Sequence, residues 1–569
     1  MALAPRCLIC LAATALACGG GSGGPGGGGG DDDDASDAAV GPDAARAADA
    51  APDPCDPLGN RPGVCPARGL YDDAIDVELR APDGAQVVYT LDGSPPDAGS
   101  TAYDGPIAIA PPADRGVVIV RARAIDPSTG PGPIVTHSYV FPAAVLAQSA
   151  APAGLPAVWG TSETYPADYE MDGSVLGDAA GAAAALGALP VVSLALAPDD
   201  LWGAEQGLYM NPENGGIEWE RAASIEIFGG AEALSTQEDC GARIQGGSSQ
   251  NDWKVPKLSM RVIFRETYGA DELEASLFAG DAARFDTLVL DAHLNWTWVH
   301  PAADQRLRAD YLRDRFTSDL QLAIGSQAPR GRFVHLFLGG LYWGLYELHE
   351  RPDEHFAAAY LGGDDADYDV IKHGSTIVVN GDGTAWDAMF ALARQGLDDD
   401  DRYAALAAQL DVPDFIDYML VNFFAGNDDW PHHNWYAARR KPDGLWRFFS
   451  WDAEHTLKQV DVDRTGVDAA GTPGELYQLL AVRADFRAAV SARGTALLAG
   501  PFAAAAANDL YQARADEVRA SIVLESARWG DSRSPDSPSG VTQWEAEQSW
   551  LEDTYFPQRP AVFAGQLPE

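Results

Sequence analysis

Apolar and polar positions alternate or cluster differently in successive parts of this chain, and the change of pattern outlines its organisation. Residues 77–79, 86–91, 107–109 and 116–124 are short β-prone runs separated by turn residues. Their spacing predicts a small all-β, immunoglobulin-like sandwich over 67–142, and 143–156 read as a linker. From 157 to 569 the apolar runs lengthen. Segments 190–196 and 223–228 predict buried strands, and 257–264 a third after a Gly-rich turn. Leu312, Phe316, Leu320 and Ile324 recur at helical spacing within 307–324. Segments 333–338 and 342–348 predict a hairpin turning at Gly339-Gly340. An apolar helix is expected over 412–424 with Asp414 as its N-cap, then a strand over 445–450 that delivers Trp451-Asp452. Beyond about residue 475 the chain is Ala-rich and largely helical.

At 569 residues the chain exceeds one ordinary core, so a multidomain protein is expected. Acidic residues outnumber basic ones 84 to 39, a formal charge of −45, which disfavours nucleic acid and anionic membrane surfaces as partners. Residues 1–18 have the form of a signal peptide, with Arg6 ahead of an apolar stretch. It closes on Ala15-Leu16-Ala17-Cys18, a lipobox pattern that makes Cys18 the expected lipidation site of an exported lipoprotein. The competing expectation is ordinary cleavage after Ala-x-Ala with Cys18 incidental. Residues 19–66 are Gly, Ala, Asp and Pro with almost nothing large and apolar, a composition that predicts a disordered linker. Cys55 and Cys65 are placed to form a disulfide in an oxidising compartment, leaving Cys240 as a buried or idle thiol.

The candidate chemistry lies in Asn427-Asp428-Asp429-Trp430-Pro431-His432-His433-Asn434 and in Trp451-Asp452-Ala453-Glu454. Phosphoryl transfer from a metal–nucleotide complex needs a carboxylate near the attacking hydroxyl, and an amide and a carboxylate on Mg²⁺. Asp429 and Asn434 have the Asp-x-x-x-x-Asn spacing of the protein-kinase catalytic loop. The turn Gln245, Gly246, Gly247, Ser248, Ser249 offers small residues that let backbone N–H groups approach phosphate oxygens. Arg243 is suited either to phosphate or to a carboxylate partner. Lys257 is the expected phosphate-holding lysine, with Lys254 its competitor. Adjacent His432 and His433 are poorly placed to share one metal ion, and no Cys/His cluster has zinc-ligand spacing.

Several separated blocks together resemble the CotH kinase family: 215–228 (GGIEWERAASIEIF), 241–250 (GARIQGGSSQ) with 256–261 (PKLSMR), 341–353 (LYWGLYELHERPD), and the two acidic blocks above. The resemblance implies an α+β atypical protein-kinase-like domain over 157–569, with a sheet-rich N-lobe and a helical C-lobe. It implies ATP and Mg²⁺ (or Mn²⁺) as cofactors and a protein Ser/Thr hydroxyl as acceptor. In the family pattern the key carboxylate directly precedes Trp, so Asp429 rather than Asp428 is the expected catalytic residue. Asn434 and Asp452 are the expected metal ligands. Glu454 departs from the family's frequent Trp-Asp-x-Asp. The glutamate partner of Lys257 stays open between Glu226 and Glu350. Residues 89–96 (YTLDGSPP), 103–107 and 118–124 resemble the chitobiase C-terminal-type sandwich, which implies a spacer or weak binding module. The alternative reading is a catalytically inactive surface or adhesion protein on the same scaffold.

Overall fold

The computed structural model describes residues 55–160, 166–251, 256–280, 282–533 and 540–569. The expected leader with Cys18, most of the 19–66 segment, and Lys254 lie outside the described residues.

The first domain is an all-β sandwich. One sheet orders Gly63–Cys65, Ile75–Arg80 and Ile107–Ile109; the other orders Gly69–Leu70, Gly130–Val140, Val117–Asp126, Gln86–Thr90 and Thr101–Ala102. Alternation along the strands puts Val77, Leu79, Val87, Ile109, Val120 and Ala122 into the shared core. A Cys55–Cys65 disulfide ties the chain to the strand Gly63–Cys65, which pairs antiparallel with Ile75–Arg80. Residues 55–66, inside the segment expected to be a disordered linker, are therefore structured. Cys240 is free and buried, as expected.

The first part of 143–156, expected to be a linker, is packed against the large domain. The helix Pro142–Leu146 buries Val145 completely. Gln148 then donates from Nε2 to the carbonyls of Tyr169 and Tyr342 at 2.6 and 3.1 Å and accepts from Tyr342 N at 2.8 Å. A side-chain amide that satisfies buried backbone on both sides cannot be left loose without stranding those groups.

The large domain is mixed α/β. Its first part is a closed seven-stranded barrel among the described residues, in the order Pro190–Leu196, Arg221–Gly229, Leu234–Gln245, Ser259–Ile263, Thr287–Asp291, Leu341–Glu350 and Gly331–Leu338. A parallel pairing between Gly331–Leu338 and Pro190–Leu196 closes it; every other neighbour is antiparallel. The expected hairpin is present, with Gly339 and Gly340 at φ +55° and +85°, values that favour glycine. Leu341–Glu350 is buried at every position, because one face fills the barrel and the other packs on the helix Ile522–Trp529.

The second part surrounds the helix Val412–Ala425. Asp411, not Asp414, is its N-cap: the Asp411 carboxylate accepts from Asp414 N, and Pro413 occupies the first turn, where its missing N–H costs nothing. Gly426 ends the helix in the left-handed conformation at φ +66°. The lobe expected to be helical also carries a four-stranded sheet, ordered Val378–Asn380, Tyr368–Lys372, Trp435–Arg440 and Arg447–Ser450. The expected C-terminal helices follow, from Pro473–Leu480 to Phe556–Ala564. No helix among the described residues is long and apolar enough to cross a membrane.

The sandwich is docked on the barrel through buried polar groups. Glu226, fully buried, accepts from Ser138 N at 3.0 Å and from Ser138 Oγ, and lies 3.4 Å from Arg68. Arg121 bonds Gly93 O within the sandwich at 3.0 Å and reaches Asp239 of the barrel at 3.2 Å.

Candidate active site

The loop after Gly426 crosses from the helix to the strand Trp435–Arg440. Trp430 anchors it, buried and donating Nε1 to Tyr418 Oη at 2.8 Å, and Asn427 donates to Asn422 Oδ1 at 3.0 Å. Because Trp435 pairs with Ser450, the residues just outside that pair, Asn434 and Trp451, are neighbours, and Asp452 follows. Asn434 donates from Nδ2 to Asp429 Oδ2 at 3.2 Å. Asp428 is held elsewhere, 2.6 Å from Lys458 Nζ and 3.7 Å from His455. Between the two adjacent carboxylates, Asp429 is the one that lines the cavity.

That cavity, about 420 Å³, lies between barrel and second lobe. Asp429, Asn434 and Asp452 meet there with Gln245, Gly246, Gly247, Ser248, Ser249 and Lys257. Eight non-glycine residues have positive φ among the described residues, and four of them line this cavity: His293, His373, Asn434 and Asp452, at +52° to +65°. Such conformations are unfavourable for L-residues and persist where surrounding structure imposes them, often at functional sites.

The barrel supplies the opposite wall. Gln245 accepts from Arg261 Nε and Nη2 at 2.9 and 2.6 Å, which fixes the start of the turn. Gly246 sits at φ +149°, and a Cβ there would collide with Ser249 Oγ. Lys257 is wholly buried, bonded to Glu525 Oε1 at 2.8 Å and Leu345 O at 2.6 Å, with its ammonium 4.6 Å from the Tyr346 ring. Burial pulls its pKa down and Glu525 works against that. The partner of Lys257 is therefore Glu525 on Ile522–Trp529, neither Glu226 nor Glu350: Glu226 is used at the sandwich junction, and Glu350 accepts from Tyr360 Oη and Arg330 N.

A carboxylate network surrounds Asp452. Asp291 accepts from Ser259 Oγ and His293 N, both at 2.8 Å. Glu454 accepts from Leu294 N at 2.8 Å, Asn295 N at 3.2 Å and Asn295 Nδ2 at 2.6 Å. His293 lies between Glu347 and Glu454, at 3.4 and 3.6 Å. Asp314, on the helix Arg313–Ala323, accepts from Ala453 N at 2.6 Å. Burial, followed by the charges of Glu454, Asp314 and Asp291, pushes the Asp452 carboxyl well above its ordinary range, and Lys372 opposes them. Burial also raises Asp314, to about 6. For Glu454 burial acts upward too, but the bonds to His293 and Asn295 outweigh it and hold the group low. Lys372 forms no salt bridge among the described residues; its ammonium rests 5.1 Å from the Trp451 ring and 5.3 Å from Tyr436.

This donor set fits Mg²⁺ or Mn²⁺ delivered with a nucleotide. Among the described residues no three His, Cys, Asp or Glu side chains could hold a metal unaided. Mg²⁺, however, usually takes one or two carboxylates and completes its shell with water and phosphate. Asp452, crowded by like charges, gains from a divalent cation, and the Asn434 amide oxygen is at hand.

Of the expected nucleotide- and metal-site residues among those described, Arg243 alone is not brought into this cavity; it stands 3.6 Å from Glu220 and lines an adjoining recess. Arg439 and Arg447 pair with Asp369 and Asp411, not with Asp429 or Asp452. His432 is exposed, 3.5 Å from Asp429. Sequence reasoning missed Asp291, His293, Asp314 and Lys372. Two of these had a readable signal: Asp291 and Lys372 each end a short apolar strand, Thr287–Asp291 and Tyr368–Lys372, as Asp452 follows one. His293 and Asp314 carried none.

A family model described as CotH kinase protein matches residues 242–562, more than half of the chain. A second, described as Chitobiase/beta-hexosaminidase C-terminal domain, matches residues 66–136 in the sandwich. No curated protein matches the chain. With that match spanning the turn at 245–249, the Asp429–Asn434 loop and Asp452, the chain belongs to the CotH kinase protein family and carries a chitobiase-type sandwich at its N-terminal side.

Proposed function

We propose that this chain is an exported, lipid-anchored protein kinase that moves the γ-phosphoryl group of Mg-ATP to a Ser or Thr hydroxyl of another surface or secreted protein. The observation that carries this reading is the convergence of Asp429, Asn434 and Asp452 on one cavity with the small-residue turn at 245–249 and two lysines. Asp429 orients the acceptor hydroxyl and takes its proton as the new P–O bond forms and ADP leaves. Asn434 and Asp452 would hold the metal, which would supply positive charge to offset that of the phosphates. The turn at 245–249 and Lys257, the latter bonded to Glu525, would hold the phosphates, and Lys372 adds a second ammonium on the same cavity. Positioning and fixed charge supply most of the catalysis.

Incubation of the full chain with Mg²⁺ and either γ- or α-labelled ATP tests the proposal. Label from the γ position alone on Ser or Thr supports it. Label from the α position replaces it with nucleotidyl transfer, and neither label replaces it with an inactive CotH-type surface scaffold. Anchoring is tested separately: Cys18→Ser moves the protein from the membrane fraction to the soluble fraction if Cys18 is lipidated.

A further inference from the structure

Beside the catalytic cavity lies a second recess of about 460 Å³ that shares only Gln245, Gly246 and Lys372 with it. Four cations line this recess, Arg243, Arg261, Arg351 and Lys372, and no Asp or Glu among the described residues does. In a chain of formal charge −45 such a concentration of positive charge is the exception. Neutralisation is incomplete: Arg243 is 3.6 Å from Glu220 and Arg351 is 3.0 Å from Asp353, but Arg261 spends two N–H groups on the neutral Gln245 oxygen and Lys372 rests on aromatic rings. Burial, with Arg351 and Arg243 close by, pulls Arg261 down to about 10.

The mouth of the recess is different in character. Ile377 and Val378 stand there 47% and 42% exposed. Val378–Asn380 is the outer strand of the four-stranded sheet, so among the described residues one side of its backbone has no strand neighbour. An open edge with apolar side chains beside it is the kind of surface to which an extended peptide adds as a strand.

We propose that this recess selects the acceptor: an extended segment of the target protein lies along Val378–Asn380 and places an Asp or Glu side chain, close to its acceptor Ser or Thr, among Arg243, Arg261 and Arg351. Guanidinium groups suit a carboxylate because they can offer paired N–H donors. Occupation by nucleotide phosphates is disfavoured by the layout, since Asn434, Asp452, Lys257 and the residues 247–249 line the other cavity and not this one. The inference rests on the kinase reading of the neighbouring cavity.

The test uses the full chain, Mg-ATP and three Ser peptides that differ only in having Asp, Ala or Lys on either side of the serine. The acidic peptide should show kcat/KM about tenfold or more above the Ala peptide. That ratio should collapse in Arg351→Gln, and in Arg243→Glu the Lys peptide should become the preferred one, a gain that a misfolded variant cannot show. Equal transfer to all three peptides overturns the recess while leaving the kinase reading intact. A rise in KM for ATP in both variants with the peptide ratio unchanged overturns it as well, in favour of nucleotide. Peptide anisotropy without ATP separates the two readings. Tight binding of the acidic peptide alone, lost in Arg243→Glu, supports the recess even if no phosphate is transferred.

Discussion

Asp429 and Asp452 are both carboxylates in one cavity, yet their surroundings give them different work. The Asp429 side chain is 40% exposed, accepts from Asn434 and stands 3.5 Å from His432, so removing it should cost activity and not folding. Asp429→Ala is expected to lower γ-phosphate transfer about 10²- to 10⁴-fold with a nearly unchanged denaturant midpoint. Asp452 sits among Glu454, Asp314 and Asp291 and is held protonated well above the usual carboxylate range. A ligand must shed its proton to bind metal, so divalent-cation affinity should rise with pH, by about tenfold per unit while Asp452 is still titrating. Titrating Mn²⁺ by paramagnetic relaxation at several pH values checks this, and a flat profile would show that Asp452 is not the ligand. Asp429 was legible from spacing, because a loop motif is local. The company of Asp452 was legible only in part: Glu454 stands two residues further on, but Asp291 and Asp314 come from segments far away in the chain.

At the scale of elements, two helices hold the site through buried charge. The helix Ile522–Trp529 contributes Glu525, which meets Lys257 from 268 residues away in the chain. Breaking such a pair from one side strands a charge, so Lys257→Met alone should lose about 3–5 kcal/mol in a denaturant melt. The double variant Lys257→Met, Glu525→Leu should recover much of that. The helix Arg313–Ala323 presents Asp314 with its carboxyl raised to about 6 from an ordinary 3.8. Its proton is held more tightly in the folded chain, so the ionised group destabilises the fold at pH well above 6, and the penalty disappears as pH falls below about 4. Asp314→Asn keeps an oxygen for Ala453 N. It should therefore stabilise the fold by about 2–3 kcal/mol at pH 8 and by little at pH 3.5, as read from denaturant midpoints. The hairpin at Gly339-Gly340 and the helix Val412–Ala425 were readable from periodicity and turn residues. The strand Leu234–Gln245 was not, because it carries polar residues at many positions and is held by its neighbours on both sides.

For the whole molecule, the sandwich behaves as part of the kinase body rather than as a detached spacer. Glu226, Ser138, Ser193, Arg68, Arg121 and Asp239 form a buried polar seam whose members are useless apart. Sandwich and large domain are therefore expected to unfold in one calorimetric transition, and Glu226→Ala should destabilise both together by about 3–5 kcal/mol. Two separate transitions would show that the seam is weak. A body of this kind holds the barrel at a set orientation to the sandwich.

Order along the chain was enough to determine the family and the kind of domains. A loop motif, a small-residue turn and an alternating strand pattern are local features that survive in a linear reading. Tertiary structure alone decided which charges meet. Glu525 as the partner of Lys257, Asp314 and Asp291 beside Asp452, and Arg243 in the recess instead of the catalytic cavity all depend on barrel closure and helix packing. Residues hundreds of positions apart reach a few ångströms of one another only after folding, and electrostatic effects at that range follow distance in space, not in sequence.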